Sequence, residues 1–425
     1  MYLRGSKWSM TRKHRRVNPW FITFLIIAIG AFAYINLVIV PQTPPLFVPT
    51  ATPTINPQSY ANDAANLTAS GKTAKAMDAY QQAIQADPKN INNYLALAKL
   101  QINAGKYVEA QKNAENATLL NRSNALAQAI LGWAQTMQGD YLQAEAAINN
   151  ALSLDPNNAL AHAYYAQMLA MQVEQGKGQL GTLDKAAEES RIAVALDGTI
   201  VETHMARGKV LELTSNYQEA ADEYTAALAI NDNIASLHLS LGVIYYVNME
   251  NYAQAVEEFT KAYALNPGDP LPNLYISRVY TKTGYYAKAV QYAEQALKDN
   301  PTDALLQGNL GSMYYKVNDF DNSILHLRLA LRGGTTVDGQ VVQGIPLSND
   351  TRVNEFYARY GLALAQVNQC TEALQVAQAV LQILKDDETA VYNANEMIRI
   401  CKENITGTAT PTVEAQPTQA ATAKP

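Results

Sequence analysis

The feature that most restricts the fold is a repeat. The run LGWAQTMQGDYLQAEAAINNALSLDPNN at residues 131–158 recurs in outline along most of the chain. In a 34-residue frame, units begin at Pro57, Ile91, Ala125, Ala159, Val201, Ala235, Pro270, Ala304 and Asn354. Position 20 is Ala76, Ala110, Ala144, Ala186, Ala220, Ala255, Ala289 and Ala373, with Ser323 in the eighth unit. Position 27 is Ala83, Ala117, Ala151, Ala193, Ala227, Ala262, Ala296 and Ala330, with Val380 in the ninth. A period of this length belongs to stacked units that share a core with their neighbours, not to one globular core.

The letters have a packing reason. Small residues at positions 8, 20 and 27 let two helices approach closely, while large ones at positions 4, 7, 11 and 24 (Tyr94, Leu131, Tyr245, Tyr224, Phe259) fill the remaining space. Prolines close the units at Pro88, Pro156, Pro267 and Pro301, where they suit a helix's first turn and end the one before. The pattern resembles the tetratricopeptide repeat family over essentially all of residues 57–387. That resemblance implies an all-α, right-handed superhelical solenoid of about nine helix-turn-helix units, eight of them over 57–332. The ninth unit and a C-terminal capping helix are expected over 354–403, and a disordered tail, poor in apolar mass, over 404–425.

Departures from the frame locate inserts. Repeat six carries one extra residue, and repeat four carries eight between its helices, in VEQGKGQLGTL. The largest insert, 333–353, holds an Asp338-Gly339 pair between Thr-Thr-Val and Gln-Val-Val, which predicts a small β-hairpin projecting from the array.

The head predicts the compartment. Residues 20–40, WFITFLIIAIGAFAYINLVIV, contain no charge, and 21 residues of helix reach about 31 Å, enough for a hydrocarbon core of roughly 30 Å. The run exceeds a signal-peptide core and no small-x-small cleavage site follows it, so an uncleaved transmembrane helix is expected. Six basic side chains (Arg4, Lys7, Arg12, Lys13, Arg15, Arg16) precede it and no charge follows until Asp63. By the positive-inside rule, the head at 1–19 is cytoplasmic and the repeats lie outside. A Pro/Thr-rich linker, 41–56, reads as an extended spacer.

Charge excludes a general nucleic-acid binder. The chain holds 32 basic and 38 acidic side chains, and setting the head aside leaves 26 against 38, a balance of −12. Catalysis finds no support either: no Ser-His-Asp set, H-E-x-x-H, Walker loop or carboxylate dyad stands out, and no cofactor or metal is expected. Gly176, Gly178 and Gly181 spell G-x-G-x-x-G, but between two helices of one repeat rather than after a strand, so the glycines read as a flexible loop. His162, His204 and His238 share position 4 of consecutive repeats, where spacing of roughly 8–10 Å forbids one shared ion and packing is the expected role.

The expected function is protein binding. Some tetratricopeptide proteins clamp a terminal carboxylate with Lys at position 5, which this chain lacks (Leu95, Ala129, Ala163, Met205 and Leu239 stand there in repeats two to six). In the family, positions 2, 5, 9, 12 and 13 line the concave groove; here they hold Leu126, Trp133, Met137, Leu160, Met171, Met205, Leu213, Leu239, Val243 and Tyr246, interspersed with Lys209, Glu202 and Glu212. So apolar a groove suits a helix or peptide of a partner, anchored on Trp133 and its Met neighbours, unless a tight superhelix buries these residues against its own neighbours. Anchored arrays of this layout resemble translocon-associated and envelope-assembly factors, which implies an adaptor role; the alternative is binding of peptidoglycan or polysaccharide. Finally, Cys370 follows the first helix of repeat nine and Cys401 nears the end of the capping helix, ends that parallel stacking makes adjacent, so a disulfide is expected outside the cytoplasm.

Overall fold

The structure, a computed structural model, describes residues 18–39 and 56–406. The basic head up to residue 17, the linker at 40–55 and the tail after Thr406 lie outside the described residues. The first helix, Pro19–Tyr34, runs on as a π-helical turn, Ile35–Ile39. Asn18 caps it by accepting from the Trp20 amide at 3.1 Å, and Pro19 occupies the first turn, where a missing N–H costs nothing. Its one strongly polar residue, Asn36, donates to the Phe32 carbonyl at 3.1 Å and so satisfies its amide within the helix. Residues Pro19–Val38 are apolar and long enough to cross a membrane.

Nine helix pairs and a closing helix follow. First helices begin at Pro57, Ile91, Ala125, Ala159, Val201, Ala235, Leu271, Ala304 and Thr351; second helices begin at Thr73, Tyr107, Tyr141, Thr182, Tyr217, Tyr252, Tyr286, Phe320 and Cys370. Two boundaries shift from the sequence frame. Pro270 caps the seventh unit rather than opening its helix. The ninth unit opens at Thr351, because the Asp350 carboxylate accepts from the amides of Arg352 and Val353; the insert is therefore 333–350. The closing helix, Glu388–Thr406, also outruns its expected end at 403.

The alanine ladder is the seam of the array. Every Ala at positions 20 and 27 is at most 1 % exposed, and Ser323 and Val380 are buried with them. Position 8 explains itself through the ring at position 24. A Cβ on Gly242 would lie 2.6 Å from the Phe259 ring, so glycine there makes room for the ring, and one on Gly132 would lie 2.9 Å from the Ala144 carbonyl oxygen, so glycine there lets the two backbones meet.

Each pair turns through a left-handed residue, with a second, Gly181, in the longer turn of repeat four. Glycine serves at Gly71, Gly105, Gly139, Gly176 and Gly284, whereas Ser215, Glu250, Asn318 and Asn368 adopt positive φ in the other repeats. The extra residue of repeat six is absorbed before that turn. Its first helix, Ala235–Val243, passes into a π-helical turn, Ile244–Asn248, which takes one more residue per turn than the α-helix it continues.

The 333–350 insert forms a two-stranded antiparallel ladder, Gly334–Thr335 against Val341–Val342, shorter than its sequence suggested. Its base does not project. Val342 is buried, the Ile345 amide donates to the Ala330 carbonyl at 2.9 Å, and Ile345 and Leu347 pack on the core of repeats eight and nine. Gly344 permits this crossing, since a Cβ there would sit 2.7 Å from the Leu331 carbonyl oxygen. The tip, with Val337, and the outward-facing Val341 stand in solvent.

Candidate functional site: the inner face of the solenoid

First helices lie on the inside of the curve. Lys99 in repeat two reaches Glu202 in repeat five at 2.7 Å, which brings first helices three units apart into contact. The Gln167 side chain from repeat four donates to the Glu202 backbone carbonyl at 3.2 Å. Beside this clasp lies an open hollow of about 500 Å³, bordered by Lys99, Leu126, Leu160, Leu196 and Ile200 with the turn carboxylates Asp155 and Asp197.

The tight curve divides the apolar residues expected in one groove among separate cores. Leu160 is buried, and Trp133, Met137, Met171 and Leu213 are half-buried against the same core of repeats two to five. Trp133 stacks face to face on Tyr164, with centroids 5.1 Å apart and planes 3° off parallel. Met205 joins the core of repeats five and six, while Leu239, Val243 and Tyr246 join that of repeats six and seven. Leu126 is the most exposed of the apolar set, at 37 %. Lys209 is engaged, 2.5 Å from Glu174 and 3.5 Å from Glu212.

The three position-4 histidines have a more specific role than packing. The Nδ1 atoms of His162, His204 and His238 lie 2.5, 2.6 and 2.6 Å from Glu189, Glu223 and Glu258 on the second helix of the same repeat. Their Nε2 atoms face the carbonyls of Pro156, Gly198 and Asp232 in the preceding turn at 3.0, 2.8 and 2.9 Å. Each ring thus staples its repeat to the turn that enters it. Tyr94 does the same with the Pro88 carbonyl, as does Gln307 with Pro301, and in repeat eight the histidine moves to the partner position, His326 on Gln307. The signal was in the sequence: a Glu recurs opposite each His at position 23 of the frame.

Two of these rings respond to pH with opposite sign. Burial pulls the pKa of His162 down, but the Glu189 hydrogen bond, the Pro156 carbonyl and the charges of Glu189 and Asp155 outweigh it and raise the pKa above its ordinary value. Burial depresses that of His326. His162 therefore adds stability below about pH 6.5 that is lost as pH rises through its elevated pKa. His162→Gln should lower the melting temperature more at pH 6 than at pH 8, by a further 1–3 °C or so. Equal losses at both pH values would remove the assignment.

Among the described residues, no three His, Cys, Asp or Glu side chains converge as a metal site. Gly176 and Gly181 are left-handed turn residues between two helices, with no strand before them. At the far end, Cys370 and Cys401 are joined sulfur to sulfur across a Cα–Cα distance of 5.4 Å, linking the second helix of repeat nine to the closing helix.

Helix pairs stacked through small residues, with first helices inside, define a helical-repeat solenoid. The tetratricopeptide repeat family matches residues 67–134 and 246–310, a second profile of the same family matches 205–270 and a third 126–158. The chain is a tetratricopeptide repeat protein, and such repeats make protein-interaction scaffolds. No curated protein matches it. Among solved structures it is similar to PilF of Pseudomonas aeruginosa (25% identity, TM-score 0.42, 49% of this chain and 91% of that one). It is also similar to MamA (25%, 0.34, 40% and 95%) and to a human IFIT1 dimer with PPP-AAAA (16%, 0.45, 65% and 72%).

Proposed function

We propose that this protein is a single-pass membrane scaffold that holds its solenoid outside the cytoplasm, where the inner face receives a protein or peptide partner, and that it serves as an adaptor in secretion or envelope assembly. The observation that carries this reading is the apolar helix with basic charge on one flank alone. Six basic side chains precede it, and no charge follows before Asp63. The paired Cys370 and Cys401 fit an oxidising compartment. Sugar polymers fit less well, because Trp133, the sole tryptophan of the repeats, already stacks on Tyr164. An acidic body argues against nucleic acid.

Protease added to intact cells, with any outer envelope opened, should digest the repeats and leave the first 16 residues protected. Protected repeats with a digested head would reverse the topology and end the proposal.

A further inference from the structure

The inner face carries two kinds of charge. In repeats two to five its cations are spent internally, Lys99 on Glu202 and Lys209 on Glu174 and Glu212. In repeats seven to nine most are not, Arg359 on Glu355 being the exception. Among the described residues no carboxylate lies within ion-pair distance of Arg278, Lys282, Lys316 or Arg352. Arg278, Lys282 and Lys316 hold the groove positions of their first helices, and Arg352 lies in the first turn of the first helix of repeat nine.

Arg278 is the centre of this patch. Its guanidinium sits 5.5 Å over the Tyr275 ring, which stacks on Phe259 at 5.1 Å and meets Tyr246 edge-on at 6.3 Å. Tyr246 belongs to the π-helical turn of repeat six, so the extra residue of that repeat stands against this patch. Burial first, and then the nearby charge of Arg352, lowers the Arg278 pKa, the mark of a cation without enough compensating charge. Glu355, a carboxylate whose charge acts on Arg278, is bound to Arg359 at 3.0 Å. The balance of Arg278, Arg352, Arg359 and Glu355 is positive within a body that carries −12.

Building on the scaffold reading above, we propose that the inner face of repeats seven to nine binds an acidic peptide segment of a partner protein, with its side-chain carboxylates seated between Arg278 and Arg352. A guanidinium supported on an aromatic floor presents its N–H edge to a carboxylate and keeps its charge partly desolvated, where the pairing is strong. This is not the terminal-carboxylate clamp, since position 5 of these repeats is Leu274, Gly308 and Ala358. A peptide is favoured over nucleic acid because a phosphate backbone extending past this short patch would meet the acidic remainder.

The test uses the full chain in detergent micelles and fluorescence anisotropy of labelled probes: a Glu/Leu peptide, its Gln/Leu counterpart and oligo-dT. The Glu peptide should bind at least tenfold or so more tightly than the Gln peptide and weaken as salt screens the pairing. Arg278→Gln and the exposed Arg352→Gln should each weaken it about five- to tenfold with unchanged helical content, whereas Lys99→Gln should not. Equal binding of the two peptides, no effect of Arg352→Gln, or tighter binding of oligo-dT would overturn the proposal. Photo-crosslinking in cells separates the two readings. Protein crosslinks that persist unchanged in the Arg278→Gln/Arg352→Gln variant leave the scaffold and remove the acidic-segment site; no crosslinks from any inner-face position remove the scaffold itself.

Discussion

Reducing the bridge between Cys370 and Cys401 is expected to cost about 3–4 kcal/mol at the C-terminal end, the loop-closure entropy of a separation of 31 residues. The loss should be local. The closing helix, Glu388–Thr406, packs on repeat nine through Ala390, Ala394 and Met397 and is pinned otherwise by Asn404, which donates to the Ala365 carbonyl at 2.9 Å. It is the last helix among the described residues, and end units of a solenoid gain stability from one neighbour only. Cys370→Ala/Cys401→Ala should therefore raise hydrogen exchange across 351–406 while repeats two to five stay protected. Intact mass with and without reductant checks the bond itself. No 2 Da change, or exchange that is identical in the variant, would mean that the bridge is not holding this end.

Trp133→Ala is expected to destabilise the array by about 2–4 kcal/mol, from lost burial and the lost stack on Tyr164. Tyr164 is itself buried in the core of repeats two to five, so the change leaves a void that the alanine seam on either side cannot collapse to fill. A groove residue free in solvent would tolerate replacement with the melting temperature intact. Thermal unfolding of Trp133→Ala distinguishes the two, and an unchanged transition would restore Trp133 to the role of a free partner anchor. The same logic covers Met137 and Met205, which are half-buried in separate cores.

Much of the molecule was legible because its constraints are local and repeated. Close approach of two backbones forces a small residue at the same place in every unit, and nine recurrences make that force visible as a ladder of Ala and Gly. The capping helix and the adjacency of Cys370 and Cys401 followed from extending the same frame. The histidine staples were written there too, in the Glu at position 23 that accompanies each His at position 4.

What the sequence by itself determined is therefore the unit: its two helices, its seam, its turn and the number of times it stacks. What only the tertiary structure decided is which inner-face side chains remain free. That depends on curvature, a small rotation per repeat that accumulates until Lys99 meets Glu202 three units away, and no single unit encodes it. Trp133, Met137, Met171 and Met205 stand half-buried against the cores of repeats two to five and of repeats five and six. Among the described residues Arg278 and Arg352 in repeats seven and nine are left without a carboxylate at ion-pair distance, and the base of the 333–350 insert lies back on the core of repeats eight and nine.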